Sequence, residues 1–293
     1  VAAAILSALG CTTGPVNHYN RGVDYQDRGR FLEAVQEYRR AIELNPQDPA
    51  PRFNLAVLYQ DHDRPGQARE QYLAILASHP RYAPAHANLA TLLEQEGDLE
   101  GAERSLERAI QSDRDSPFPL TQRGFFLVRR GRTQEAQACF EEALRRDPSW
   151  ANAHFGLGQI AEGKGNLQAA LSHYEEATRR NPMDMEAHLK ASEILSAQGK
   201  REDAIRHLRR AADLAPTRGK TFLDLGSLLL EERRWRAAAE AFERALHLDA
   251  DAARCHLVLS QIYQHLALEA SAAHQRDLKR ATPPIQTGDK PRQ

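Results

Sequence analysis

A small residue returns every 34 positions along this chain, at Gly22, Ala56, Ala90, Gly124, Gly158, Ser192, Gly226 and Ser260. A periodicity of that length excludes most single-core folds and requires stacked copies of one supersecondary unit. Two further positions keep the same step. Twelve residues after each small residue comes an alanine (Ala34, Ala68, Ala102, Ala136, Ala170, Ala204, Ala238), and four later a large apolar residue (Tyr38, Tyr72, Leu106, Phe140, Tyr174, Leu208, Phe242). Prolines close most units, at Pro46, Pro80, Pro148, Pro182 and Pro216. Small residues let two helix backbones approach, the large one fills the space to the neighbour, and proline ends the second helix.

The turns between the helices of a unit are also legible. Gly29, Gly97, Gly131, Gly165 and Gly199 stand where a helix C-terminus takes positive φ. Gly163 to Asn166 follows a helix rather than a strand and lacks phosphate-loop spacing.

This pattern resembles the tetratricopeptide repeat, whose 34-residue helix-turn-helix carries small residues at its eighth and twentieth positions and a proline near its end. The resemblance implies an all-α, right-handed α-solenoid of about eight units. Seven span 15–252, and an eighth unit ending in a capping helix covers 253–281, its second helix expected over roughly 267–280. There Arg276 takes the place of the large apolar residue. Residues 282–293, with Pro283, Pro284, Gly288 and Pro291, read as a disordered tail.

Charge argues against nucleic acid. With 39 basic and 40 acidic residues interspersed, no net field draws the chain to a phosphate backbone. No apolar run approaches the roughly 20 residues of a membrane span. The opening residues 1–10, "VAAAILSALG", show no polar face, and with Cys11 they resemble a bacterial lipoprotein signal. Alanine in place of the usual leucine three before the cysteine, and Leu9 where a small residue is usual, depart from that pattern. The resemblance implies acylation of Cys11, a short linker over 11–14, and a membrane anchor, with Thr12 pointing to the outer membrane facing the periplasm; a capping helix and a cytoplasmic location are the alternatives.

Catalysis and cofactors find no footing in the pattern, and neither an enzyme activity nor a cofactor is expected. Cys139 and Cys255 read as buried small hydrophobes too far apart to pair. His18, His86, His154, His188 and His256 all occupy the fourth position of their unit, yet metal ligands must converge at about 2 Å while neighbouring helices pack about 8–10 Å apart. They read as interior histidines, and no metal is expected.

Function should lie on the concave surface formed by the first helix of each unit. Its sixth position reads Asn20, Asn54, Asn88 and Gln122, then Gly156, Lys190, Asp224 and Val258. The asparagines are similar to the ladder lining the repeat superhelix of O-GlcNAc transferases, where amides hold an extended peptide. An amide offers both donor and acceptor to a peptide group. Tyr19, Phe53, Phe125 and Phe155 accompany them, about half being expected to pack between units, whereas Glu186, Lys190, Glu193, Lys220, Asp224, Glu231 and Arg254 charge the later groove. The expected partner is a protein or an extended peptide. Architecture is similar to that of repeat lipoproteins assisting type IV pilus or secretin assembly. A substrate-binding subunit of a glycosyltransferase-like system and a soluble assembly factor are the other readings.

Overall fold

A computed structural model describes the backbone of residues 14–281 and the side chains of 14–271. Residues 1–10, Cys11 and the 282–293 segment lie outside the described residues, as does the side chain of Arg276. Within them the chain is helical throughout. Seven helix pairs run α1 (Pro15–Asp27) with α2 (Phe31–Leu44), α3 (Pro49–Asp61) with α4 (Pro65–Ser78), α5 (Ala83–Gln95) with α6 (Leu99–Ser112), α7 (Phe118–Arg129) with α8 (Thr133–Arg146), α9 (Ala151–Gly163) with α10 (Leu167–Arg180), α11 (Met185–Ala197) with α12 (Arg201–Leu214), and α13 (Gly219–Glu231) with α14 (Trp235–His247). One long helix, α15 (Ala252–Ala281), ends the described chain. Two compact units result, Val1–Gly156 and Leu157–Gln293.

Local chemistry starts and stops these helices. Proline opens α1, α3 and α4, where its missing N–H costs nothing. Side chains cap others: Asp98 accepts from the Gly101 amide at 2.8 Å, Asn166 from Ala169 at 3.1 Å and Asp184 from Ala187 at 3.0 Å. At the turn inside each pair one residue takes positive φ, and five of the seven are the glycines expected (φ 69–87°). The remaining two are Asp63 (φ 55°) and Arg233 (φ 56°), side chains held where they are disfavoured. Arg233→Gly should therefore stabilise the protein by about 0.5–1 kcal/mol, read as a raised urea midpoint; an unchanged or lowered midpoint would show that the arginine side chain compensates for its own strain.

Packing follows the register read from the repeats. All seven twentieth-position alanines are 0% exposed, so no side chain larger than a methyl separates the paired helices there. Tyr38, Tyr72, Phe140, Tyr174 and Phe242, at the twenty-fourth position, are fully buried. Each would bring about 1.5–3 kcal/mol of burial if wholly apolar. They lie against the small eighth position: a Cβ on Gly22 would come within 2.6 Å of Tyr38, on Gly124 within 2.5 Å of Phe140, and on Gly158 within 2.6 Å of Tyr174.

Two expectations need correction. The eighth unit is not a helix pair but the single 30-residue helix α15. The turn position equivalent to Gly199 and Arg233 is Ala267, flanked by Leu266 and Leu268, and three good helix formers give the chain no reason to break. His256 is accordingly exposed rather than interior, since no second helix of its own unit folds back over it. Both thiols are free, Cys255 buried and Cys139 half-buried.

Candidate functional site: an amide and tyrosine groove

In the first unit the first helices of the repeats, those expected to face the groove, are α1, α3, α5 and α7. Tyrosines reach their surface from behind. Tyr38 and Tyr72 rise from the second helices α2 and α4 with rings buried, and their hydroxyls donate to the twelfth-position amides, Tyr38 to Gln26 Oε1 at 2.8 Å and Tyr72 to Gln60 Oε1 at 3.2 Å. Burial pushes both phenols up to about 12, so they remain neutral donors at any physiological pH.

The sixth-position amides join this system. Asn88 Nδ2 donates to Tyr72 Oη at 3.0 Å, completing a relay from Asn88 through Tyr72 to Gln60. Asn54 Nδ2 donates to Tyr19 Oη at 3.1 Å. Each of these bonds takes one donor of the amide and fixes its plane. A second N–H and the carbonyl oxygen remain to be offered to a ligand. Asn54 and Asn88 are half-buried, Asn20 is exposed, and half-buried Gln122 lines a recess of about 430 Å³ with Thr91, Glu94, Gln95, Phe125 and Arg129. Glu94 in that recess accepts from Arg129 at 2.6 Å and Arg130 at 3.2 Å. Burial opposes its charge, but the two guanidiniums outweigh burial and hold the carboxyl below its usual range.

The aromatics pack chiefly inside their own repeats rather than between repeats, with Phe125 and Phe155 meeting across two. Tyr19 lies 6.1 Å from Tyr38, Phe53 lies 5.9 Å from Tyr72 and 5.8 Å from Tyr82, and Phe125 lies 5.1 Å from Phe140 and 6.3 Å from Phe155. All four are half-buried, so each ring is packed in part and exposed in part. Each keeps some apolar surface available to a partner without exposing a whole ring.

The second unit builds the same device with charge. Tyr174 Oη donates to the twelfth-position Glu162 at 2.6 Å, and the sixth-position Lys190 donates to the same carboxylate at 3.0 Å. Lys190 and Glu162 thus stand where Asn88 and Gln60 stand in the first unit. A further recess of about 400 Å³ there is lined by Leu189, Glu193, Lys220, Asp224, Ser227 and Arg254. Glu186, by contrast, pairs with Arg218, and Glu231 with Arg201 at 2.7 Å, so part of the charged groove is already neutralised. The tyrosine partners of the amides had no signature of their own in the sequence. The only available signal was tyrosine rather than phenylalanine or leucine at the twenty-fourth position.

Among the histidines, His86 and His188 are buried, donating Nε2–H to the carbonyls of Pro80 at 2.9 Å and Pro182 at 3.3 Å, while His18 Nδ1 meets Glu37 at 2.6 Å. They serve the ends of the repeats.

A tetratricopeptide repeat model matches residues 53–117, 127–177, 163–218 and 223–284, and a second TPR repeat model matches 22–63. No curated protein sequence matches the chain significantly. Among solved structures it is similar to yeast Tom70 (TM-score 0.66, 17% identity, 89% of this chain and 54% of that one). It is also similar to PilF of Pseudomonas aeruginosa (0.57, 20%, 74% and 97%) and to PilW, described as a widely conserved type IV pilus biogenesis factor (0.55, 19%, 72% and 98%). At these identities the likeness is one of fold, and this chain spans about half of Tom70. With alanine, aromatic and turn positions recurring in space at the step they keep in sequence, and repeat models matching nearly all of its helices, the chain belongs to the tetratricopeptide repeat family.

Proposed function

We propose that this chain is a scaffold whose first unit holds an extended segment of a protein partner, and that it does so at a bacterial envelope membrane, anchored through Cys11, in the assembly of a pilus or secretion complex. Repeat scaffolds of this family bind proteins. The observation that carries the peptide reading is the relay from Asn88 through Tyr72 to Gln60, with Asn54 held likewise by Tyr19: amides oriented by internal bonds yet half exposed, in repeats that carry half-buried aromatic rings. Preorganised amides bind a peptide backbone at low entropic cost. Support for the envelope setting is the Gly10-Cys11 pair after an apolar run, together with the fold shared with PilF and PilW.

Asn54→Ala or Asn88→Ala should each weaken partner binding about 2- to 12-fold, the equivalent of one hydrogen bond. Tyr72→Phe keeps the amide but releases it and should weaken binding by less. The partner is recovered by pull-down from native membranes and titrated against each variant. Undiminished binding to both asparagine variants, with loss on Glu193→Ala beside Lys220 and Asp224, would transfer the working surface to the charged recess of the second unit. Fractionation of Cys11→Ser with the soluble rather than the membrane fraction is the expected result for the anchor.

A further inference from the structure

Most arginines among the described residues have a partner. Of those at the twenty-sixth position, Arg40 pairs with Glu43 at 2.8 Å, Arg210 donates to the Pro182 carbonyl at 3.2 Å and Arg244 to the Pro216 carbonyl at 3.4 Å. Arg108 holds the same position in the third repeat. The Pro182 carbonyl accepts from His188 as well as Arg210, but the corresponding Pro80 carbonyl accepts from His86 without Arg108, which makes no hydrogen bond or ion pair among the described residues. Six residues further on, just past the end of α6, the third repeat also breaks the family pattern: Arg114 stands where other repeats carry Pro46, Pro80, Pro148, Pro182 and Pro216. It too has no acidic or carbonyl partner among the described residues, nor has Arg81 in the turn between α4 and α5.

All three arginines are exposed and belong to one cleft. With Pro80, Gln111 and Ser112 they line one cleft of about 430 Å³ at the ends of α4 and α6. No carboxylate lines it. The two acids flanking Arg114 in sequence stand aside, Asp113 accepting from the Ser116 amide at 3.0 Å and Asp115 outside the lining. Three like charges in one cleft repel one another, and the carbonyl ends of α4 and α6 relieve only part of that. An oxyanion would relieve the rest.

We infer that this cleft is a binding site for a phosphate group. Three guanidinium forks supply more positive charge than one carboxylate neutralises, and they match the several oxygens and double charge of a phosphate. Gln111 and Ser112 add neutral donors at the same surface. The group's source is either a soluble phosphate compound or a phospholipid headgroup. The chemistry at the cleft is shared.

The test uses the full chain, titrated with inorganic phosphate against sodium chloride of equal ionic strength and followed by calorimetry. Vesicles of phosphatidylcholine with and without phosphatidylglycerol form a second arm. Saturable phosphate binding is expected, weakened about tenfold by Arg108→Gln or Arg114→Gln, while Arg40→Gln, at the paired equivalent position, leaves it unchanged. Co-sedimentation with the phosphatidylglycerol vesicles that is lost in the same two variants assigns the headgroup as source; phosphate binding without it assigns a soluble compound. Circular dichroism of the variants checks that these surface changes leave the helices intact. Phosphate binding equal in wild type and both variants, absence of saturable binding in both arms, or arginine-dependent binding of polyglutamate alone would each overturn the assignment.

Discussion

Phe140→Ala should cost about 3–5 kcal/mol, toward the upper end for a large-to-small change in a core. The ring is fully buried on α8, between α7 and the start of α9. Its neighbours cannot follow it. Gly124 faces it from α7 and Gly156 from α9, both without a Cβ, and the ring of Phe125 meets it edge-on at 5.1 Å. A cavity walled by two glycine backbones has few side chains able to lean in, and residual cavity volume sets the cost. Urea unfolding followed by circular dichroism measures the loss, and amide exchange locates it, with α7 and α8 losing protection first because repeat stability is a sum of local terms. Cys139→Ala, the adjacent half-buried residue, should change stability by less than about 1 kcal/mol. A loss below 1 kcal/mol for Phe140→Ala would mean that the helices close over the gap and that the small eighth position is not there to receive the ring.

The same residues explain what could be read in advance. The spacing of Gly124, Ala136 and Phe140 is a local helical pattern within one unit, so periodicity suffices to place it. Ser260 extends the small-residue period into an eighth unit, but period alone does not make a turn. Asp63 and Arg233 make their turns without glycine and against the side-chain preference, whereas across Leu266, Ala267 and Leu268 the helix runs on and the pairing ends. The site divides the same way. Asn54 and Asn88 could be placed at the sixth position of their helices from the period alone, where the structure finds them half-buried. Their partners Tyr19 and Tyr72 lie 35 and 16 residues away on other helices, where side-chain length and packing rather than spacing decide which hydroxyl reaches which amide. Lys190 read as one charge among several until Glu162, on another helix, turned out to hold it.

Acid should destabilise the protein by about 2–3 kcal/mol between pH 7 and pH 5, through three histidines. Burial pushes His86 and His188 below the usual imidazole range, and burial together with the neighbouring ring of His188 pushes His207 to about 4. The geometry says why. His188 donates Nε2–H to the Pro182 carbonyl, so its Nδ1 carries a lone pair, and His207 Nδ1–H donates to that lone pair at 2.9 Å. A second proton would set two N–H groups face to face, with Arg206 and Arg210 adding like charge that Asp203 and Asp184 only partly offset. His86 repeats half of the arrangement: Nε2–H is bound to Pro80, and the buried Nδ1 has no partner. Because the folded values lie below the unfolded value near 6.5, the unfolded chain takes up more protons in this window. The contribution is therefore complete above about pH 6.5 and is lost as pH falls toward 4. Urea midpoints at pH 7 and pH 5 measure it while most carboxylates remain ionised. His207→Gln, which can still donate to His188, should shrink the difference between the two midpoints; a difference as large as that of the wild type would place the acid sensitivity in other groups.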